Sequence, residues 1–215
     1  MKRGPMKRCI TICFVLITAI IFTGCFGRTK HPYVIDQFTL DYPSPVLPGL
    51  TSTPELIRIE RFSVAQSFSS TAMFYKPQQY RLDAYPYSRW RVNPGDMVSD
   101  FLLRDIGKSL LFKGVFSYYS DELVRYVIEG AIEEFFESDE GPEGRAVLTV
   151  NITFLDRTER EVSKKILFQK AYQFVSPVKE KSPDGFTSGM SANMSNLSQA
   201  LIKDLDNTLK ARGQK

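Results

Sequence analysis

The sequence predicts a single α/β domain: a mixed sheet with a long antiparallel meander, packed by two main helices. Three observations carry this. Ala146, Leu148, Val150, Ile152 and Phe154 alternate with Val147, Thr149, Asn151, Thr153 and Leu155, which is strand periodicity. Val98, Leu102, Ile106 and Leu110, beside Met97, Phe101 and Asp105, recur at helical spacing. Met190, Met194, Leu197, Leu201, Leu205 and Leu209 repeat that spacing near the end of the chain.

Taken in order, residues 33–40 are rich in strand formers between prolines and read as a first strand. The prolines at 32, 43, 45, 48 and 54 suit an extended tether leading to the domain. A second strand is expected over 56–64, then a short hairpin from residues 73–75 and 80–82 across Lys76-Pro77-Gln78-Gln79. Asn93-Pro94-Gly95-Asp96 is a helix start, with Asn93 as N-cap, proline at the first helical position and an early acid facing the macrodipole. That helix should run to about residue 112, with Gly114 as its stop. The meander follows over 124–137, 146–155 and 164–175, joined by turns at 138–144 and 156–161. A polar loop over 177–184 leads to the last helix, and residues 210–215 are a polar fraying end.

The N-terminus has a different logic. Lys2, Arg3, Lys7 and Arg8 precede an apolar run over 10–22, and Thr23-Gly24 supply small residues beside a scissile bond before Cys25. Phe22-Thr23-Gly24-Cys25 resembles a bacterial lipobox, with Phe22 where that pattern prefers Leu. The resemblance implies a signal peptide over 1–24 and a diacylglycerol on the Cys25 thiol, with the freed amine then acylated. At about 0.8 kcal/mol per buried CH₂, three chains hold a protein to a bilayer without any protein segment entering it. The alternative is an uncleaved anchor, since no charge falls between Cys9 and Gly27 and that approaches the length of a spanning helix.

Processing also changes the charge. The whole chain carries 28 Lys and Arg against 24 Asp and Glu, a net +4, and the four cations of the signal account for the excess. The mature chain is neutral, which removes the electrostatic case for nucleic acid or an acidic substrate. Cys9 and Cys13 lie in the signal, so no thiol beyond Cys25 remains and no intramolecular disulfide is expected.

Catalysis finds little support. His31 is the only histidine and sits in the tether, too isolated for a zinc set or a nucleophile's base. Neither a phosphate-binding loop nor a dinucleotide fingerprint is present, so the chain is not itself a P-loop ATPase. Glu133, Glu134, Glu137, Asp139, Glu140 and Glu143 could bind calcium or supply an acid and a base. They read more simply as a solvated hairpin end whose charge discourages edge pairing.

Residues 80–94 concentrate aromatics: Tyr85, Tyr87 and Trp90 stand ahead of Asn93-Pro94. Trp90 reads as a core anchor for the following helix, or with the two tyrosines as an aromatic surface that docks a partner or lipid. Tyr85 or Tyr87, then Arg89-Trp90, Pro94 and a helix with Met97 resemble the ABC-type transport auxiliary lipoproteins, the family of the PqiC-type lipoproteins. The likeness runs from the lipobox through the first strand to the Ser-rich last helix around 191–201, over nearly the whole mature chain; the long 176–187 loop departs from it.

That resemblance implies a non-enzymatic, lipid-anchored accessory of an ABC-type system. Its partners would be MCE-domain or permease subunits moving lipids or other hydrophobic compounds across the envelope. No cofactor is implied beyond the acyl lipid on Cys25. The expected organisation is a signal over 1–24, a lipidated tether and first strand over 25–54, and the remainder of one domain over 55–212, with its core about 33–212. Phe26 rather than Asp after the lipidated cysteine favours the outer membrane by resemblance to the sorting pattern. Two alternatives stand beside this one: an assembly or structural lipoprotein that binds another envelope protein, and a carrier that encloses a lipid in an apolar cavity.

Overall fold

The structure is a computed structural model in which residues 33–213 are described. The signal, the lipobox with Cys25, and His31 lie outside the described residues. The elements in chain order are β1 (Asp36–Phe38), β2 (Thr53–Ile59), β3 (Ser63–Val64), β4 (Ala72–Gln78), β5 (Arg81–Trp90) and α1 (Pro94–Ser109). They continue as β6 (Phe112–Ser117), β7 (Tyr126–Ser138), β8 (Gly144–Asp156), α2 (Val162–Lys165), β9 (Ile166–Val178) and α3 (Pro183–Gly213).

β7 organises the mixed, nine-stranded sheet. On one side it pairs antiparallel with β8, and β8 pairs with β9, which is the expected meander. On its other side β7 takes three parallel partners in succession along its length: β2 at Tyr126–Ile128, β3 at Ala131–Ile132 and β4 at Glu137–Ser138. β6 adds to β2 in parallel, β5 adds to β4 as the antiparallel hairpin, and β1 adds to β5 in parallel. At Gly130 the sheet needs an absent side chain, because a Cβ there would lie 2.2 Å from the Phe62 ring.

α1 and α3 bury their apolar rows on one face of this sheet. Met97, Val98, Leu102 and Ile106 of α1, and Met190, Met194, Leu197, Leu201 and Leu205 of α3, are all buried against Ile57, Ile128, Leu148, Val150 and Ile152. Asn93 caps α1, its side chain accepting from the Gly95 amide at 2.9 Å. Gly189 lets α3 approach β8 closely, since a Cβ there would lie 2.9 Å from that of Ala146.

Several boundaries differ from expectation, each for a physical reason. The first strand shortens to β1, and the second divides into β2 and β3 around buried Phe62. α1 stops at Leu110, which takes a left-handed backbone (φ 56°), whereas Gly114 lies inside β6, a strand the sequence did not announce. β9 extends to Val178 and α3 begins at Pro183, leaving only 179–182 as the loop expected over 177–184. α3 also continues to Gly213, through much of the expected fraying end.

The proline-rich stretch before β2 is not a free tether. Leu40 and Tyr42 are buried in the core, and the Asp41 and Thr51 amides donate to Ser191 Oγ and Asp206 Oδ1 of α3, each at 3.0 Å. The Tyr42 hydroxyl and Ser198 Oγ donate to Asp105 Oδ2 at 2.7 and 2.6 Å, while Arg104 reaches Oδ1 at 2.8 Å. One buried carboxylate thus ties this segment, α1 and α3 together. Burial would raise the Asp105 pKa, but the donors from Arg104, Ser198 and Tyr42 overcome it and hold the carboxyl below its ordinary value.

Candidate functional site

The three aromatics of residues 80–94 share one strand, β5, and the structure sends them to different environments. Register explains why. Ala72 pairs with Arg89 and Phe74 with Ala84, so a short step on β4 faces a long one on β5, and the surplus residues form a bulge around Pro86. Proline suits that position because it has no amide to offer the ladder. The bulge breaks strict alternation along β5.

Trp90 is 1 % exposed, packed edge-on against Phe135 of β7 and Phe186 of α3 with ring centroids 5.4 and 5.3 Å away. It anchors α3 to the sheet. Tyr85 is half-buried against the Tyr75 ring, and its hydroxyl donates to Glu137 Oε2 at 2.7 Å. Only Tyr87 keeps a large outward surface, at 47 % exposure. Of the two readings of Trp90 the structure takes the core one, and of the three aromatics named as a contact surface Tyr87 is the one with a large outward face, while Tyr85 is half-buried.

The acidic hairpin end needs a correction too. Glu133 and Glu134 do face outward and bond Asn151 and Thr149 on the neighbouring strand. Glu137, in contrast, is 1 % exposed, with its Oε1 buried and lacking a hydrogen-bond partner. Burial pushes its pKa up and the nearby Asp139 adds to this, against the Tyr85 hydrogen bond and the Lys181 charge. Lys181, beyond β9, crosses to the β7–β8 turn, where its ammonium meets the Asp139 carboxylate at 2.6 Å and donates to the Gly141 carbonyl at 3.0 Å. Sequence reasoning missed both Glu137 as an interior acid and Lys181 as the clasp between two loops.

At the other end of the sheet, a cleft of about 530 Å³ is lined by Glu55, Arg125, Tyr126, Lys210 and Arg212 among others. Its cations are already matched. Arg125 pairs with Glu55 at 2.7 Å and Asp156 at 3.1 Å, Arg212 with Asp156 and Glu159 at 3.2 Å each, and Lys210 with Asp206 at 2.5 Å. Such a cleft holds no spare charge for an anion. Among the described residues, no group of three or more His, Cys, Asp or Glu is placed to hold a metal ion.

A family model described as the ABC-type transport auxiliary lipoprotein component matches residues 38–211, which takes in every strand and helix from the end of β1 to the last turns of α3. The chain belongs to that family. As an auxiliary lipoprotein of ABC-type transport, it is associated with the cell envelope and serves a transporter.

A crystal structure of a Xanthomonas campestris protein superposes on this auxiliary lipoprotein with a TM-score of 0.74 and 13 % identity, over 83 % of this chain and 99 % of that one. A second crystal structure gives 0.62 with 9 % identity, over 80 % and 99 % of the two chains. At such identity these likenesses establish the fold. No curated protein matches the sequence. No helix among the described residues is long and apolar enough to cross a membrane.

Proposed function

We propose that this auxiliary lipoprotein is cleaved after Gly24, lipidated on Cys25, and held at the outer membrane, where its domain presents a protein surface to an ABC-type system. Its partners are MCE-domain or permease subunits, and the cargo is a lipid or another hydrophobic compound. The observation that carries this reading is the coincidence of the family match over 38–211 with Thr23-Gly24-Cys25 behind a basic start and an apolar run. The filled space between sheet and helices supports a surface role over a carrier role, since Ile57, Ile106, Leu148 and Leu201 are each 0 % exposed there. Without a nucleotide loop in the sequence, energy for transport comes from another subunit.

Labelled palmitate should enter the wild-type protein and not Cys25→Ser; equal labelling of both ends the lipoprotein reading. Gentle crosslinking in membranes followed by pull-down should recover an MCE-type or permease subunit. Recovery of only envelope-assembly proteins gives precedence to the structural role.

A further inference from the structure

β9 pairs with β8 alone, so its other edge is thirteen residues of backbone that no strand among the described residues takes up. β1 and β6, which also pair on one side only, have three and six. Long free edges are ordinarily blunted by charge, proline or a bulge. The irregularity in β9 falls at its start, beside Leu167, and the register is regular from Phe168 to Val178. Its one charged side chain, Lys170, is already matched by Asp204 of α3 at 2.6 Å. From Ala171 to Ser176 there is neither charge nor proline, and Tyr172, Phe174 and Val175 are strong strand formers. Such an edge is suited to taking up another strand.

The helix beside this edge leaves room for the side chains of that strand. In the middle of β9 the helix is tied down, since Asp204 accepts from the Lys170 ammonium and the Tyr172 hydroxyl at 2.6 Å each. Toward the end of β9 a groove of about 440 Å³ opens between Ser176-Pro177 and α3. The helix lines it with Gly185, Ser188, Gly189 and Ala192, none larger than serine, and with Asp184 at one end. An added strand would lie along the edge and point alternate side chains into this groove.

We infer that the free edge of β9 receives an extended segment of the transporter subunit, uncharged where it faces Ala171–Ser176 and acidic where it passes the turn between β8 and β9. This rests on the reading that the domain serves its transporter through a protein surface. Charge says which end is acidic. In that turn Lys164 pairs with Glu161, and Arg212 takes Asp156 and Glu159, which leaves Arg157, Arg160 and Lys165 without a carboxylate among the described residues. Acidic residues on the incoming chain complement those three cations. A second copy of the chain is the wrong occupant. Its own Tyr172 and Val178 are already buried in its core and would offer no side chain to the groove. Antiparallel pairing of two whole β9 strands would also set Lys165 of each copy against Lys179 of the other.

The test replaces Gln173 of the full chain with the photo-crosslinker p-benzoylphenylalanine in cell membranes, and Tyr119, exposed beyond β6, in a comparison protein. Irradiation should join residue 173, and not 119, to the MCE-type or permease subunit that pull-down recovers, within an uncharged stretch of that subunit bordered by acidic residues. Ala192→Trp fills the groove from an exposed helix position and should lose most of this product while melting with wild type. Arg160→Glu combined with Lys165→Glu should lose most of it too, and high salt should weaken the wild-type product. A subunit recovered by pull-down but not joined from 173, equal products from 173 and 119, a product that is a second copy, or one that survives Ala192→Trp overturns the inference and leaves the transport role standing. No transport subunit from either pull-down or residue 173 overturns both.

Discussion

Tyr85 on β5 donates its hydroxyl hydrogen to Glu137 on β7 at 2.7 Å, reaching past β4, the strand between them. The bond closes the upper part of the sheet from within and supplies a donor to a carboxylate whose other oxygen has none. Because native Glu137 holds its proton to a higher pH than the unfolded chain does, its own contribution to stability is greatest below the ordinary glutamate pKa of about 4.3 and is lost as pH rises through the raised value. Glu137→Gln removes that slope. Thermal melts should show the variant gaining on wild type as pH is raised from about 4 to about 7; a constant difference would mean that Glu137 is not the titrating group. Tyr85→Phe strips the carboxylate of its donor and should cost about 1–3 kcal/mol near neutral pH.

Trp90 and Tyr87 differ by three positions and should differ sharply in consequence. Trp90→Ala empties a site closed by Phe135 and Phe186 and should cost about 3–5 kcal/mol in denaturant unfolding. Tyr87→Ser, at a position 47 % exposed, should cost much less, about 1 kcal/mol. Similar melting of the two variants would reverse the division between core and surface along β5.

The meander and both main helices were legible because their periods are long and unbroken: β8 alternates from Ala146 to Leu155, and α1 opens on an Asn-Pro cap. What sequence could not supply were the places where tertiary contacts override the local pattern. β6 is short and begins right after α1, so its residues read as the end of a helix. Residues 41–52 look like a proline-rich tether, yet Asp41 and Tyr42 find partners on helices that lie far along the chain. The bulge is what separates Tyr85, Tyr87 and Trp90. A period of two cannot be carried through Pro86, and that proline was the one available signal that the alternation changes there. In sequence Glu137 reads with its acidic neighbours although it follows the apolar pair Phe135-Phe136, and its burial shows only in the folded sheet.

The Asp105 cluster gives the opposite pH dependence from Glu137. Its folded-state pKa lies below the unfolded value, so its contribution is present above about pH 3.9 and is lost as pH falls through the depressed value. Asp105→Ala leaves Tyr42, Ser198 and Arg104 without their shared acceptor and should cost about 3–5 kcal/mol near neutral pH. Tyr42→Phe removes one donor to a charged acceptor, for about 1.5–3 kcal/mol, and should loosen residues 40–52. Hydrogen exchange at the Asp41 and Thr51 amides reads that loosening directly; unchanged protection there would separate the segment's docking from the buried carboxylate.

Tyr80 offers a substitution that should stabilise the fold. Its left-handed backbone costs a non-glycine residue about 1–2 kcal/mol, whereas glycine adopts it freely and surrenders about 0.5–1 kcal/mol of chain entropy on folding. With the ring 98 % exposed, little packing is lost. Tyr80→Gly should therefore raise stability by about 0.5–1 kcal/mol, while Tyr80→Ala, which keeps a Cβ, should leave it nearly unchanged. Urea unfolding of the two variants side by side decides the matter, since equal effects would trace any gain to the lost ring and not to the backbone.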